Sequence, residues 1–320
     1  MSINYTLIMI VIKSVDVLDY GRHHKGVPRP YAEAACLRNS SQVWLQQTGT
    51  PMTNTRKELM NKLPSVLITG ASSGIGATYA ERFARRGHDL VLVARDKARL
   101  NALAACLREE SGVTVEVLLA DLTQAADLTA LEARLRDDVK IGILINNAGM
   151  PQVGGFLTQS AEAIESQIAL NTTALTRLAA AVAPRFAQSG SGSIVNIGSV
   201  LGFAPEFGNT IYGATKAFVL FLSQGLHQEL SSAGVYVQAV LPAATRTEIW
   251  ERAGVDVNTL PEVMEVGELV DAALVGFDRR ELVTIPPLHI AERWDALEGA
   301  RQGLMAGLRQ DHAAERYLHQ

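Results

Sequence analysis

The stretch Val66-Leu67-Ile68-Thr69-Gly70-Ala71-Ser72-Ser73-Gly74-Ile75-Gly76 constrains this chain more than any other. A short apolar, β-branched run gives way to three glycines and then to a helical pattern. Strand, glycine turn, helix is the arrangement that brings backbone N–H groups up to a phosphate. Side chains at the glycines would hold a pyrophosphate off, and such a turn can demand φ values open only to glycine. The spacing is G-x-x-x-G-x-G, a variant of the dinucleotide-binding turn and not the commoner G-x-G-x-x-G. Gly70, Ser72, Ser73, Gly74, Ile75 and Gly76 are therefore candidate cofactor contacts.

What surrounds this stretch sets the fold class. Strands are expected at 66–69, 89–94, 113–119, 141–146, 193–198, 235–241 and 281–285. Helices are expected at 77–86, 96–110, 122–137, 161–187 and 212–233, with further helical pieces at 264–277 and 290–319. Strict alternation of this kind predicts an α/β fold, a parallel sheet doubly wound by helices on both faces. The 320 residues suffice for one large domain of that class, and no repeat is visible.

Residues 1–62 read differently. A short apolar run at 7–12 is followed by Gly21-Arg22-His23-His24-Lys25-Gly26 and Val27-Pro28-Arg29-Pro30, with no sustained periodicity. A flexible tail, an arm on a partner subunit, a targeting segment and translated upstream sequence are the open readings. The favoured expectation is an N-terminal extension, disordered or not native, with 1–51 dispensable and Met52 a natural start. The fold itself is expected over 63–320.

The net charge of −4 argues against a nucleic-acid partner. No apolar run nears the ~20 residues of a membrane helix, and the 7–12 run lacks a basic region before it. Cys36 and Cys106, with no C-x-x-C, read as free thiols in a reducing compartment. The expectation is a soluble, cytoplasmic protein without membrane or nucleic-acid partners. No metal site is assigned.

The later strand ends carry the chemistry. Arg95 closes the second strand, nineteen residues after Gly76. NAD-binding folds place an acid there for the ribose 2′-OH, whereas an arginine attracts a 2′-phosphate through forked, charge-assisted bonds. NADP(H) is therefore favoured over NAD(H); the bland alternative is a solvated arginine opening the next helix. Asp121-Leu122 ends the third strand, where the acid can accept from an adenine amino group or cap a helix. Asn146-Asn147-Ala148-Gly149 ends the fourth, small enough for a flat ring to approach the backbone. Gly198-Ser199 ends the fifth, and thirteen residues on comes Tyr212-Gly213-Ala214-Thr215-Lys216. Tyr212 and Lys216, four apart, share a helix face. A nearby ammonium lowers a tyrosine pKa and makes it a usable general acid/base.

Taken in this order, these motifs resemble the short-chain dehydrogenase/reductase family over about Leu63 to Ile285. The resemblance implies a single Rossmann-like domain with a seven-stranded, mostly parallel sheet. It implies that Ser199 bonds the substrate oxygen, that Tyr212 exchanges the hydroxyl proton and that Lys216 bonds the nicotinamide ribose. Asn171, in Ala169-Leu170-Asn171-Thr172, would hold a proton-relaying water. Asn147, Ala148, Gly149 and Thr247 fall among the implied cofactor contacts, and the long helices would form a two-fold four-helix contact in a homodimer or homotetramer. One motif departs: Pro242-Ala243 stands where the family has Pro-Gly, which strains the loop if Ala243 needs φ > 0.

The segment 200–211, with Met150, Pro151 and Val153, is expected to wall a mostly apolar pocket, and Glu248–Arg252 to act as a mobile lid. The C-terminal segment with Trp294 would cover that pocket or a neighbour. The expected activity interconverts a small-molecule ketone and a secondary alcohol with an apolar substrate. The rivals are a non-catalytic dinucleotide sensor and an NAD(P)-dependent enzyme of another reaction type on the same fold.

Overall fold

The computed structural model describes residues 63–151, 155–252 and 255–318. The chain alternates as expected: β1 (Ser65–Thr69), α1 (Gly74–Arg85), β2 (Leu90–Ala94), α2 (Lys97–Ser111), β3 (Val115–Leu119), α3 (Ala125–Asp137) and β4 (Ile141–Asn146). Next come α4 (Ala161–Ile168), a π-helical turn (Ala169–Ala174), α5 (Leu175–Ser189), β5 (Gly192–Ile197), α6 (Thr210–Leu230) and β6 (Val235–Val240). The C-terminal part holds β7 (Thr245–Arg246), α7 (Ile249–Arg252), β8 (Met264–Glu265), α8 (Val266–Asp278), β9 (Val283–Thr284) and α9 (Glu292–Gly307).

Seven strands form one parallel sheet in the order β3-β2-β1-β4-β5-β6-β9. Alternate residues of each strand feed two cores. Val66 and Ile68 pack with Phe83, Leu100 and Leu269 on one face. Leu67 packs with Leu128, Leu131, Leu178 and Val182 on the other. All five residues of β1 and of β2 are buried, as central strands covered on both faces must be. Strand order reverses between β1 and β4, so their carboxyl ends open the crevice where α/β sheets bind ligands. The glycine turn and Asn146–Gly149 both sit there.

Five elements differ most from the sequence reading, among them the helical piece expected at 290–319, which ends at Gly307. Helix α1 begins at Gly74, three residues early, with Gly74 itself at φ +54°. Helix α3 begins at Ala125, three residues late, because the Asp121 carboxylate caps a turn by accepting from the Thr123 N–H and hydroxyl. The expected 161–187 helix is broken into α4, the π-turn and α5. Met264–Glu265 is a strand paired parallel with Thr245–Arg246, in place of the helix start expected at Met264. Among the described residues no helix is long and apolar enough to cross a membrane.

Candidate active site

The cradle begins with Thr69. Its Oγ1 accepts from the N–H groups of Asn147 and Ala148, each at 3.0 Å. Asn147 answers by donating from Nδ2 to the carbonyls of Thr69 (2.9 Å) and Gly70 (3.2 Å). The turns after β1 and β4 are thereby sewn together, and the closeness leaves no space for side chains. A Cβ on Gly70 would stand 2.9 Å from Ala148 Cα; one on Gly76 would stand 2.5 Å from Asn147 Nδ2 and press into the Gly70 carbonyl. Gly70 and Gly74 also hold φ of +66° and +54°. Ser73, at the N-cap of α1, makes no side-chain cap bond, and the first turn carries no acid. A positive helix end with open N–H groups, a free capping hydroxyl and side-chain-free backbone fits a pyrophosphate.

The edge of the crevice at Arg95 and Asp121 is less fully set. Arg95 is well exposed, with Nη1 3.6 Å from Asp121 Oδ2. Burial would raise the Asp121 pKa, but the bonds from Thr123 and the charge and hydrogen bond of Arg95 outweigh it and hold the carboxyl low. Leu122 turns its side chain into the core. Thr247 lies against the glycine turn, its Cγ2 3.2 Å from where a Gly74 Cβ would be. Next to it, Glu248 pairs with Arg99 of α2 at 2.5 Å. Trp250 donates from Nε1 to the Thr245 carbonyl at 2.7 Å. The segment expected to be a mobile lid is thus tied at Glu248 and Trp250.

Ser199, Tyr212 and Lys216 converge at the ends of β5 and α6. Lys216, buried, donates from Nζ to the Ile197 carbonyl at 2.8 Å and lies 5.5 Å from the Tyr212 ring centroid. Ser199 donates to the Pro242 carbonyl at 3.3 Å and accepts from the Leu201 N–H at 3.2 Å. Burial pushes Tyr212 up to about 12, and a hydrogen bond with Ser199 pulls the other way. Burial pushes Lys216 down to about 8. The expected lowering of Tyr212 by the lysine charge is therefore not seen. Desolvation acts on both groups and wins, because it penalises phenolate and ammonium alike.

Asn171 sits in the π-turn. Its Oδ1 accepts from the Met150 N–H (2.9 Å), and its Nδ2 donates to the Met150 carbonyl (3.0 Å) and Thr215 Oγ1 (3.1 Å). Thr215 in turn donates to the Tyr212 carbonyl at 2.8 Å. One amide thus pins the β4 loop to the first turns of α6. Both its N–H donors are taken, leaving a single acceptor site on Oδ1. The carbonyls loosened by the wide turn are met by hydroxyls: Thr172 donates to Ile168 at 2.6 Å and Thr176 to Thr172 at 2.8 Å.

The glycine turn, the four groups around Tyr212 and the strand order coincide with a match to the short chain dehydrogenase family model over residues 64–257. The chain belongs to this family of oxidoreductases. A short-chain dehydrogenase from Sphingobium yanoikuyae, solved in complex with NADPH, is 81% identical and superposes with a TM-score of 0.79 over 80% of this chain and 100% of that one. A bulky-bulky ketone specific alcohol dehydrogenase from Comamonas testosteroni is 70% identical, with a TM-score of 0.76 over 81% of this chain and 100% of that one. Among curated relatives, a very-long-chain 3-oxoacyl-CoA reductase from Anas platyrhynchos is 33% identical over 187 residues, covering 57% of this chain and 60% of the relative.

Within the family frame, the one departure is harmless. Among the described residues the non-glycine positions with positive φ are Asn209, Glu262 and Arg280, so Ala243 is unstrained. Val153 lies outside the described residues. Sequence reasoning missed Thr69, Thr215 and the Arg99–Glu248 pair. Thr69 and Thr215 lie inside the motifs themselves, and a hydroxyl at a strand end or beside Tyr212 is a usable signal. Arg99 and Glu248 are 149 residues apart, and nothing local joins them.

Proposed function

We propose that this chain is an NADP(H)-dependent oxidoreductase that interconverts an apolar ketone and its secondary alcohol. The observation that carries the reading is the convergence of Ser199, Tyr212 and Lys216 beside a glycine turn that fits a pyrophosphate. A bound nicotinamide supplies or accepts the hydride. Every other task falls to the chain. Ser199 holds the carbonyl oxygen through its hydroxyl. Tyr212, protonated at neutral pH at its raised pKa, donates a proton to that oxygen in reduction. Lys216 keeps two N–H donors beyond its Ile197 bond for ribose hydroxyls. Charge on Lys216 stabilises the Tyr212 phenolate left by that donation, and Asn171 Oδ1 accepts from a water that relays a proton back to the phenolate. Asn147, Ala148, Gly149 and Thr247 line the cofactor groove.

The exposed Arg95 guanidinium supports NADP(H) over NAD(H), since it can meet a 2′-phosphate in a forked geometry. The NADPH complex of the Sphingobium relative supports the same choice, and the bulky-bulky ketone specificity of the Comamonas relative supports a large ketone. Phe218 and Phe221 of α6 are exposed, Phe221 at 76%, which supports assembly into a homodimer or tetramer through the long helices. Cys106 is a free exposed thiol whose pKa is raised by its Glu110 hydrogen bond, which suits a cytoplasmic setting.

Ketone reduction assayed with NADPH and NADH side by side, on the parent and on Tyr212→Phe, tests the reading. The parent should turn over faster with NADPH. The variant should bind NADPH as the parent does and lose turnover by about 10²–10⁴-fold. Retained turnover would refute the role of Tyr212.

A further inference from the structure

Helix α9 buries none of its residues. It is held at two points on the body. Glu298 takes a hydrogen bond from Gln224 of α6, and Trp294 packs beside Val200, Val283 and Ile285 on Leu220, Ala239 and Leu241. Trp294 also meets Phe203, with ring centroids 6.0 Å apart and planes inclined at 52°. Phe203 is four residues beyond Ser199, on the segment that joins the serine to Tyr212. That segment lies flat on α6, since a Cβ on Gly202 would stand 2.8 Å from the Lys216 backbone. The loop thus rests on α6 at Gly202 and on Trp294 at Phe203, yet Phe203 keeps 41% of its surface open.

We propose that Trp294 is a positioning residue for substrate specificity: it fixes the Phe203 ring as the outer wall against which the larger arm of a ketone packs. The inference rests on the ketone reading above and adds a residue from a helix that otherwise touches little. The physical case is the economy of its contacts. A tryptophan is the largest apolar side chain the helix owns, and it is placed against Phe203 of the serine loop as well as on Leu220 of α6. An aromatic pair of this geometry restricts the Phe203 rotamer, so a bulky arm meets a preformed face. A small ketone does not reach that face. Apolar wall contacts of this size discriminate substrates by roughly 10- to 200-fold.

The test compares kcat/KM for a ketone bearing an aromatic ring on each side of the carbonyl with that for a small methyl ketone, both with NADPH. Trp294→Ala should lower the value for the large ketone about tenfold or more, chiefly by raising KM, and leave the small ketone within about twofold. Trp294→Phe should restore most of the ratio. Should the alanine variant not fold, Trp294→Leu keeps the apolar anchor and should still lose the ratio. Equal losses on both ketones, a loss confined to kcat, or an unchanged ratio in the variant that folds overturns the proposal. A parent with no activity on either ketone overturns the ketone reading itself, and with it this inference.

Discussion

Two sets of glycines repeat at the same spacing and live under opposite rules. Gly70 and Gly74, with Gly76 beyond them, lie where the ends of β1 and β4 are sewn together. Gly299, Gly303 and Gly307 lie along the exposed helix α9. A Cβ would collide at Gly70 and Gly76, whereas one added at Gly299, Gly303 or Gly307 meets nothing within 4 Å. The G-x-x-x-G pattern is common to both. What differs is whether another backbone is already standing where the side chain would go. The glycine-turn side is built by backbone approach and leaves no room for a side chain at Gly70 or Gly76. The C-terminal side is built by a few side-chain contacts and leaves the rest free.

The contrast breaks most readily at Gly76. Gly76→Ala should destabilise the fold by about 3 kcal/mol and weaken NADPH binding severely, as read by thermal unfolding and calorimetric titration. An alanine variant that binds as the parent does would show that backbone approach is not the constraint. The buried Lys216 tests the same side by another route. Its pKa is depressed from 10.5 to about 8, so the unfolded chain holds the extra proton between those values. Stability should therefore rise with pH from about 8 towards 10.5 by about 3 kcal/mol, and fall again above 10 as Tyr212, raised to about 12, releases its proton more readily unfolded. Denaturant titrations of the parent and Lys216→Met across that range check it; the rising limb should vanish in the variant.

On the other side the expected effects are small and change sign. Gly303→Ala should raise stability by roughly 0.5–1 kcal/mol, because an exposed helix gains from losing glycine, with kcat/KM unchanged. A loss would mean that α9 has a covered face. Ala243→Gly should be smaller still, lowering stability by less than about 1 kcal/mol through unfolded-chain entropy, with NADPH affinity unchanged by calorimetry. A gain in affinity would return the strain that the backbone angles exclude.

What could be read from the chain follows the same division. The turn glycines, Asn147 and the Tyr212–Lys216 face are local patterns, and parallel strand order follows from strict alternation, so the sheet and the meeting of the motifs were legible. The helix start at Gly74 was not, since a glycine with positive φ is a poor herald of a helix. The π-turn was hidden because residues 161–187 keep a continuous helical pattern while the hydrogen bonds shift. The Phe203–Trp294 and Arg99–Glu248 contacts join distant segments, and no local period encodes them. The lowered Tyr212 pKa was expected from charge alone, whereas the decisive quantity was burial, which only the packed structure supplies.

The π-turn at Ala169–Ala174 also acts as a counting device. It fits an extra residue into the helical path, and each residue of a regular helix advances by about 100°. Deleting one residue of that turn other than Asn171 would let α4 and α5 fuse into an ordinary helix with full backbone bonding, the flanking helices keeping their phase while the residues left inside the turn change direction. Asn171 would then face away from Met150 and Thr215, even with its identity intact. This segment is therefore sensitive to length before it is sensitive to composition. Conservative replacements within it should be far milder than a single deletion, which leaves a sound helix and a dismantled site.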